Sequence, residues 1–539
     1  MKPIKVLIMA LLLSGITGNA QTMFLKNYGD VNYNNHSGHA TDNEGNSFLV
    51  DVFSGPELNF GGFTLTSDYG YTPYIAKING AGDVEWIFAE INEATIEVYD
   101  IILDNDNNII ICGIFYGADA VFSGITLTNN GSNSFIAKYD HDGNILWAQS
   151  VSGNGPSFSQ IAVDDNDNIL VTGNNSGALT FMGEEIEEFG DYDVIYAKFD
   201  KNGNALWLKS LGSNGSDTPY EIAADHDGNI FLSVLYTASF SIDGFNFMNH
   251  GLSDALILKL NPEGEAMWGK IIYGPSDGYD ISGITIDEAN DVYLCTELNS
   301  DDLLFGEIVP NYGLTDVFLV KMHGDDGAVS WYRSGGSSNY DHSEDIVLGK
   351  DGVFISGNFM GAAEFDGLQL YGENVGTFIV AYTRDGDIVQ VYQATGNNFV
   401  IPNGLDVDKH GNVYCSGTFS ENIIVEDAPE LTTNGTYDIF LYKFGSVLVD
   451  INTTIADENS INIFPNPATE NITFHISEFS DALAKFKILN YAGQVVSESL
   501  EINLADQIQF NIQHLASGIY TVVIFNEENI INSQKFIKL

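Results

Sequence analysis

Residues 136–155 read IAKYDHDGNILWAQSVSGNG, and residues 196–215 read YAKFDKNGNALWLKSLGSNG. Both have an apolar run, a polar turn ending in Gly-Asn, a tryptophan and a second glycine-rich turn. Such self-similarity is the mark of a repeat array. A lysine sits in the apolar run at 77, 138, 198, 259, 321 and 443, and FIVAYTRDG takes its place near 382. A second marker is the last residue of a polar turn before an apolar strand. It falls at Asn46, Asn108, Asn168, Asn229, Asp291, Gly352 and Asn412. Both markers count seven units with a period of about 61 residues.

The five tryptophans obey the same period. Trp86, Trp147, Trp207, Trp268 and Trp331 each follow a turn glycine by four residues, at Gly82, Gly143, Gly203, Gly264 and Gly327. Phe24 holds the equivalent place near the N-terminus, and Gln390–Val391 hold it after Gly386. A large aromatic at one fixed repeat position reads as a packing anchor between units, burying ~150–250 Å². Cys112 and Cys295 stand four residues after their turn markers, where Val50, Thr172, Ser233, Ser356 and Ser416 stand elsewhere. That position calls for a small side chain. Cys415 lies one residue earlier and points to the other side of its strand. All three cysteines read as free thiols, since three in a chain of 539 residues are no disulfide framework.

Within one unit the runs 160–163, 168–174, 179–188, 193–200 and 204–210 read as short strands, the third being a small hairpin around Gly183. Asn-Gly and Asp-Gly supply the positive φ that hairpin turns need. No helical periodicity appears across 21–450, so the class is all-β. Four-stranded units of this length suit a closed seven-bladed β-propeller, which leaves only short protected edges. The ends agree. The run 22–29 is a tryptophan-type strand without its partner, and 438–445 is that partner without a tryptophan-type strand. The two would share one blade and lock the ring. The blocks IAKYDHDGNILWAQS and IAVDDNDNILVTG resemble the seven-bladed β-propeller repeat family of bacterial exported proteins, over roughly 24–445. That resemblance implies a fold and little about activity.

The period stops after Val449. The expected organisation is a signal peptide at 1–20, a propeller at 21–449, a polar linker at 450–460 and a small β-sandwich at 461–539. Lys2 and Lys5 ahead of the apolar run Val6–Leu13, with Gly18 and Ala20 beyond, carry the signal-peptide reading. No later stretch is apolar enough to span a membrane as a helix. FPNP (464–467), NYAGQ (490–494), LASGIY (515–520) and the final KFIKL resemble the type A sorting domain of the type IX secretion system. The resemblance implies export across the outer membrane of a Bacteroidota-type bacterium. It also implies removal of the tail, with release or attachment to surface polysaccharide. Pro465, Asn466, Pro467, Gly493, Gly518, Tyr520 and Lys535 would carry this address, with the secretion machinery as partner.

The chain holds 74 acids against 20 bases, for a formal charge of -54. Phosphate neutralisation needs clustered Lys and Arg, so nucleic acid is excluded. No nucleophile elbow, P-loop, dinucleotide fingerprint or HExxH occurs. His36, His39 and Asp42 lie close in sequence and read as incidental. The turns at 104–108, 164–168 and 225–229 resemble the opening of a calcium loop but lack its bidentate Glu. They read first as turns, with Ca²⁺ the one ion they could take and no other cofactor expected. Candidate ligand-binding residues pair a tyrosine with an acid ahead of the strand nearest the axis: Tyr99–Asp100, Tyr220–Glu221, Tyr279–Asp280 and Tyr340–Asp341. Such pairs suit stacking on a sugar ring or holding a cation. The alternative is that each tyrosine packs and each acid caps a turn. The sequence thus favours a non-enzymatic binding or adhesion module for an extracellular glycan or protein. A carbohydrate-active hydrolase or lyase using channel acids and a purely structural surface component are the other readings.

Overall fold

A computed structural model describes residues 22–445, apart from 32–37, 154, 274–280, 300–302, 306, 310–311, 351 and 427. In the tail it describes 461–538, apart from 465–467, 470, 477–482, 491–494, 499–501, 504–507, 516–517 and 527–528. Residues 21–446 form one compact unit.

That unit is a seven-bladed β-propeller. Six blades take four antiparallel strands in chain order, and the seventh is completed by the N-terminal strand. In the second blade these are Thr95–Leu103, Ile109–Tyr116, Ser132–Tyr139 and Ile145–Gly153, from the axis outward. In the seventh they are Val400–Val407, Asn412–Phe419, Tyr437–Gly445 and, returning from the start of the chain, Thr22–Val31. Lys26 pairs with Leu441 and Tyr28 with Ile439 across that join. The axial end closes too: the Thr41 N–H of the first blade donates to Asp406 Oδ2 of the seventh at 2.6 Å. The shared blade expected from the sequence is therefore present.

The repeated residues explain how blades hold one another. Gly203, Gly264 and Gly386 turn with φ of 81°, 75° and 83°. A Cβ on Gly203 would lie 2.8 Å from Trp147, and one on Gly264 3.1 Å from Trp207. The turn of each blade thus presses on the aromatic of the blade before it. Trp268 Nε1 donates to the Gly324 carbonyl of the next blade at 3.0 Å. Phe24 and Lys26 occupy the same place over Gly82, which seals blade seven to blade one.

A second repeated device is a buried ion pair. The first carboxylate of the inner turn accepts two N–H groups and binds the lysine of the third strand. Asp104 Oδ1 takes the Asp106 and Asn108 N–H at 3.0 and 2.8 Å, and its Oδ2 lies 2.6 Å from Lys138 Nζ. Asp164–Lys198 and Asp225–Lys259 repeat this at 2.9 Å. In the first blade Lys77 turns to Glu85, and Asp42 takes His141 instead. The first acid of each calcium-like turn is thus engaged by the turn and its lysine. Between the second and third strands a small hairpin runs at the rim. Its tip, Ser123-Gly124 or Met182-Gly183, has positive φ at both residues, as a type I′ turn requires. Cys112, Cys295 and Cys415 are free and buried.

The tail forms two sheets. Ile461–Phe464, Asn471–Ile476 and Ile508–Asn511 make one; Leu483–Asn490, Val495–Glu498, Gly518–Asn526 and Asn529–Lys538, with Ile502–Asn503 at an edge, make the other. Tyr520 is buried and pairs with Phe536; Gly518 pairs with Lys538, and Lys535 with Thr521. Pro465, Asn466, Pro467 and Gly493 lie outside the described residues, as does the signal peptide expected at 1–20.

Candidate functional site at the propeller axis

The inner strands enclose a cavity of about 460 Å³. Its wall is set by a recurring irregularity. Six inner strands carry a one-residue bulge, between Val98/Asp100, Phe158/Gln160, Pro219/Glu221, Ile281/Gly283, Ser343/Asp345 and Pro402/Gly404. A bulge bends its strand and re-aims side chains. The residues after the bulge therefore stand at one level around the axis: Asp100, Gln160, Glu221, Gly283, Asp345 and Gly404. Gly38, opposite Val50, completes the ring. These seven positions differ in chemistry, whereas the level beneath is apolar in six blades and His39 in the first.

The strand behind this ring supplies the small residues noted in the sequence. Cys112 pairs with Asp100, Ser233 with Glu221 and Ser356 with Asp345. The crowding is direct: a Cβ on Gly283 would lie 3.1 Å from Cys295 Sγ and 2.7 Å from Ile346 of the next blade.

Two of the acids stitch neighbouring blades. Asp100 accepts the Ile101 N–H at 2.7 Å and the Ile161 N–H of the next blade at 3.0 Å. Asp345 accepts Ile346 and Leu405 in the same way, both at 2.7 Å. Glu221 accepts the Ile222 N–H at 2.9 Å, and Gln160 Nε2 donates to the Tyr220 carbonyl at 2.8 Å. Ser282 and Ser343 hydroxyls meet at 2.5 Å. His39 Nδ1 lies 2.8 Å from Ser416 Oγ, in space that Gly404 leaves open.

Burial pushes Asp100 up to about 7, against its two N–H donors. Burial raises Asp345 to about 7 too, aided by the charges of Asp406 and Asp100. Glu221 is raised well above the usual range by burial, then by Asp100. An ordinary Asp titrates near ~4. Between ~4 and ~7 the folded state then holds more protons than the unfolded chain, so stability falls as pH rises through that window. Stability should drop between pH 5.5 and 8.5, by on the order of 2 kcal/mol for each acid, and the melting temperature with it. Thermal melts of wild type and Asp100→Asn/Asp345→Asn check this. The double variant should flatten the slope, and a wild-type curve that rises toward pH 8.5 contradicts the account.

The sequence-derived candidates distribute unevenly. Tyr99, Asp100 and Glu221 line the cavity. Tyr99 donates its hydroxyl to Glu97 Oε2 at 2.8 Å. Tyr220 sits at the bulge, contributing its carbonyl. Tyr340 is 59% exposed at a loop, and the buried Asp341 carboxylate accepts the Ser337 N–H at 2.5 Å. Neither is part of the cavity wall. Tyr279 and Asp280 lie outside the described residues. Gln160, Ser282, Glu344, Asp345, Asn403 and His39 also line the cavity and were not singled out as ligands. Among the described residues no three His, Cys, Asp or Glu side chains are placed to hold a metal ion.

Residues 462–539 match the family described as the secretion system C-terminal sorting domain. The tail is a type IX sorting domain. The chain is therefore exported by that system to the cell surface or beyond. Among the described residues no helix is long and apolar enough to cross a membrane. A curated relative, an uncharacterized WD repeat-containing protein of Acanthamoeba polyphaga mimivirus, is 30% identical over 170 residues. The match takes in 28% of this chain and 12% of that protein. Among solved structures, a glucose dehydrogenase aligns at 11% identity and a TM-score of 0.30, covering 65% of this chain and 99% of that one. A gluconolactonase from Xanthomonas campestris aligns at 11% identity and a TM-score of 0.24, covering 52% and 94%. At such scores neither bears on this chain's fold or activity; the fold rests on the strand pairing above.

Proposed function

We propose that the exported propeller is a binding module whose axial cavity takes a small polyhydroxylated ligand, such as one or two residues of a neutral or amino sugar. One observation carries this reading. The repeat keeps its packing residues nearly constant, yet at the post-bulge level it presents three carboxyls, an amide and three glycines around a single cavity. The volume is in the range of small-ligand sites, ~300–1,000 Å³. Gln160, Ser282, Asn403 and Tyr99 offer the mixed donors and acceptors that sugar hydroxyls need. No Lys or Arg lines the cavity, which disfavours phosphorylated or uronic sugars.

An array of neutral, amino and acidic glycans, probed with the mature chain with and without Ca²⁺, tests the proposal. Neutral or amino sugars should bind. Gln160→Ala should weaken them at least tenfold, the loss of one half-buried polar anchor, while the melting temperature stays within a few degrees. A flat array, or binding indifferent to Gln160, overturns the proposal. The enzyme reading has one observation in its favour: Asp100 and Asp345, near 7, lie in the range of a general acid. Turnover of a bound glycan, abolished by Asp345→Asn, would establish it.

A further inference from the structure

The antiparallel order gives the propeller two unlike faces. The turns after the first and third strands of each blade lie on one. The connections after the second and fourth strands lie on the other. Between residues 22 and 445 there are fourteen lysines and arginines, from Lys26 to Lys443. None stands in a connection of the second face. They sit in the turns of the first face, or on third and outer strands, where most heads reach toward those turns and Lys209 lies over the Trp207 ring. Lys138 reaches the Lys201 carbonyl, Lys259 the Gly324 carbonyl and Arg333 the Gly386 carbonyl.

The second face is acidic and aromatic. Glu93, Asp119 and Asp191 are exposed in its connections, and Glu373 is exposed where the strand Leu368–Thr383 extends beyond the blade. The six most exposed tyrosines among the described residues, Tyr71, Tyr116, Tyr192, Tyr312, Tyr340 and Tyr371, all lie there, at 41–62% exposure. Several are held in place. Tyr116 donates to Glu97 Oε1 at 2.9 Å, while Tyr99 holds the other oxygen. The loops bearing Tyr312 and Tyr340 are laced by Leu314 N to Asn339 O and Asp341 N to Thr315 O, both 3.1 Å. Asn339 Nδ2 ties the second loop to the Met360 carbonyl at 2.8 Å. On this face His250 and His342 are each paired with a carboxylate, Asp254 and Glu297.

Rigid exposed tyrosines are the residues that anchor interfaces, and carboxylates beside aromatic faces recognise ammonium and guanidinium groups. A second copy is a poor occupant, because each chain carries a formal charge of -54 and the propeller's repeat lysines are engaged with their own acids. We propose that this face docks a Lys/Arg-rich polypeptide segment, by charge complementarity and by cation–aromatic contacts at the tyrosines. The proposal concerns the outer face and stands apart from the axial cavity; it holds even if the cavity binds no sugar.

The test uses the mature full chain and a labelled decalysine peptide, read by fluorescence anisotropy. Decaglutamate and a neutral oligosaccharide serve as comparison probes. Decalysine should bind and weaken roughly tenfold from 50 to 300 mM salt. Tyr312→Ser/Tyr340→Ser/Tyr371→Ser should weaken it at least fivefold, and so should Glu93→Gln/Asp119→Asn/Glu373→Gln. All six side chains are exposed, so the fold should survive, with melting curves as the check. The opposite-face set Asp106→Asn/Asp142→Asn/Glu263→Gln, also exposed, should change binding less than twofold. Equal losses from both acidic sets would show diffuse attraction to an anionic protein and overturn the proposal. So would indifference to the tyrosines, or stronger binding of the neutral oligosaccharide than of decalysine.

Discussion

Deleting residues 22–31 should abolish cooperative folding of the propeller, and moving them behind Gly445 should restore it. This strand is the outer member of the seventh blade, paired along Tyr437–Gly445. Leu25 and Tyr28 are 7% and 3% exposed, and Tyr28 stacks on Phe60 at 5.2 Å. Tyr28 also donates its hydroxyl to the Gly82 carbonyl at 2.8 Å, and Lys26 to the same oxygen at 2.8 Å. Burial of two such side chains is worth about 2–3 kcal/mol each. The lost ladder leaves a long open edge. Together these rival the ~5–15 kcal/mol net stability of a typical domain. The rescue follows from register. Thr22 pairs with Phe444 as Ile145 pairs with Tyr139, so Gly445 takes the place of Asp140 and a four-residue turn copied from 141–144 can join it to Thr22. The permuted chain would run 32–445, turn, 22–31, then tail. Circular dichroism melts should show one transition within about 5 °C of the unpermuted chain for the permutant, and none for the deletion. A deletion variant that melts cooperatively within that margin would refute ring closure by this strand.

That closure was legible in the sequence because packing residues obey the period. Phe24 and Gly82 could be matched to Trp147 and Gly203 by spacing alone, since turn glycine and aromatic meet in every blade. The small-residue position that Cys112 and Cys295 hold followed from the same spacing. The cavity wall was less legible. Its residues are set by the bulge, which the sequence does not mark, and they differ from blade to blade. Asp100 and Glu221 stand eight residues before Asn108 and Asn229, but that offset is visible only once the register is known. In the sixth blade the inner turn is one residue shorter, running Gly349 N to Gly352 O where the second blade runs Asp104 N to Asn108 O. A tyrosine next to an acid led instead to Tyr340–Asp341, four residues short of Glu344–Asp345. Gln160 carried no signal of its own, since an amide ahead of an apolar strand is ordinary. The two-faced distribution of charge was written plainly in the sequence, yet it acquires meaning only when strand order assigns each connection to a face.

The buried ion pairs bear on stability in a different way, and Lys138→Met should be the most damaging single substitution among the repeat lysines. Lys138 is 4% exposed and lies 2.6 Å from Asp104 Oδ2, in a residue that is itself 5% exposed. Burial alone would raise the Asp104 carboxyl, but Lys138 and Asn108 more than offset it and hold it below the usual range. A depressed carboxyl stabilises the fold above the unfolded value near ~4 and loses that contribution as pH falls through the folded value. Removing the lysine leaves a carboxylate in a site built for a pair, which costs about 3–5 kcal/mol. Asp104→Asn alone strands the ammonium instead, with a loss of the same order. The double variant Lys138→Met/Asp104→Asn keeps a side-chain oxygen at position 104 as an acceptor for the turn N–H groups and leaves no unpaired charge. It should recover at least half of the single losses, giving a coupling energy of ~2 kcal/mol or more. The comparison within the molecule sharpens the expectation. Lys443 stands 3.8 Å from Asp408, and its own pKa is lowered by burial. Lys443→Met should therefore cost less than Lys138→Met, measured by urea unfolding at pH 7. Equal costs, or additive losses in the Asp104–Lys138 cycle, would mean that the lysines act through their aliphatic stems and that the repeated charge pair contributes no specific energy.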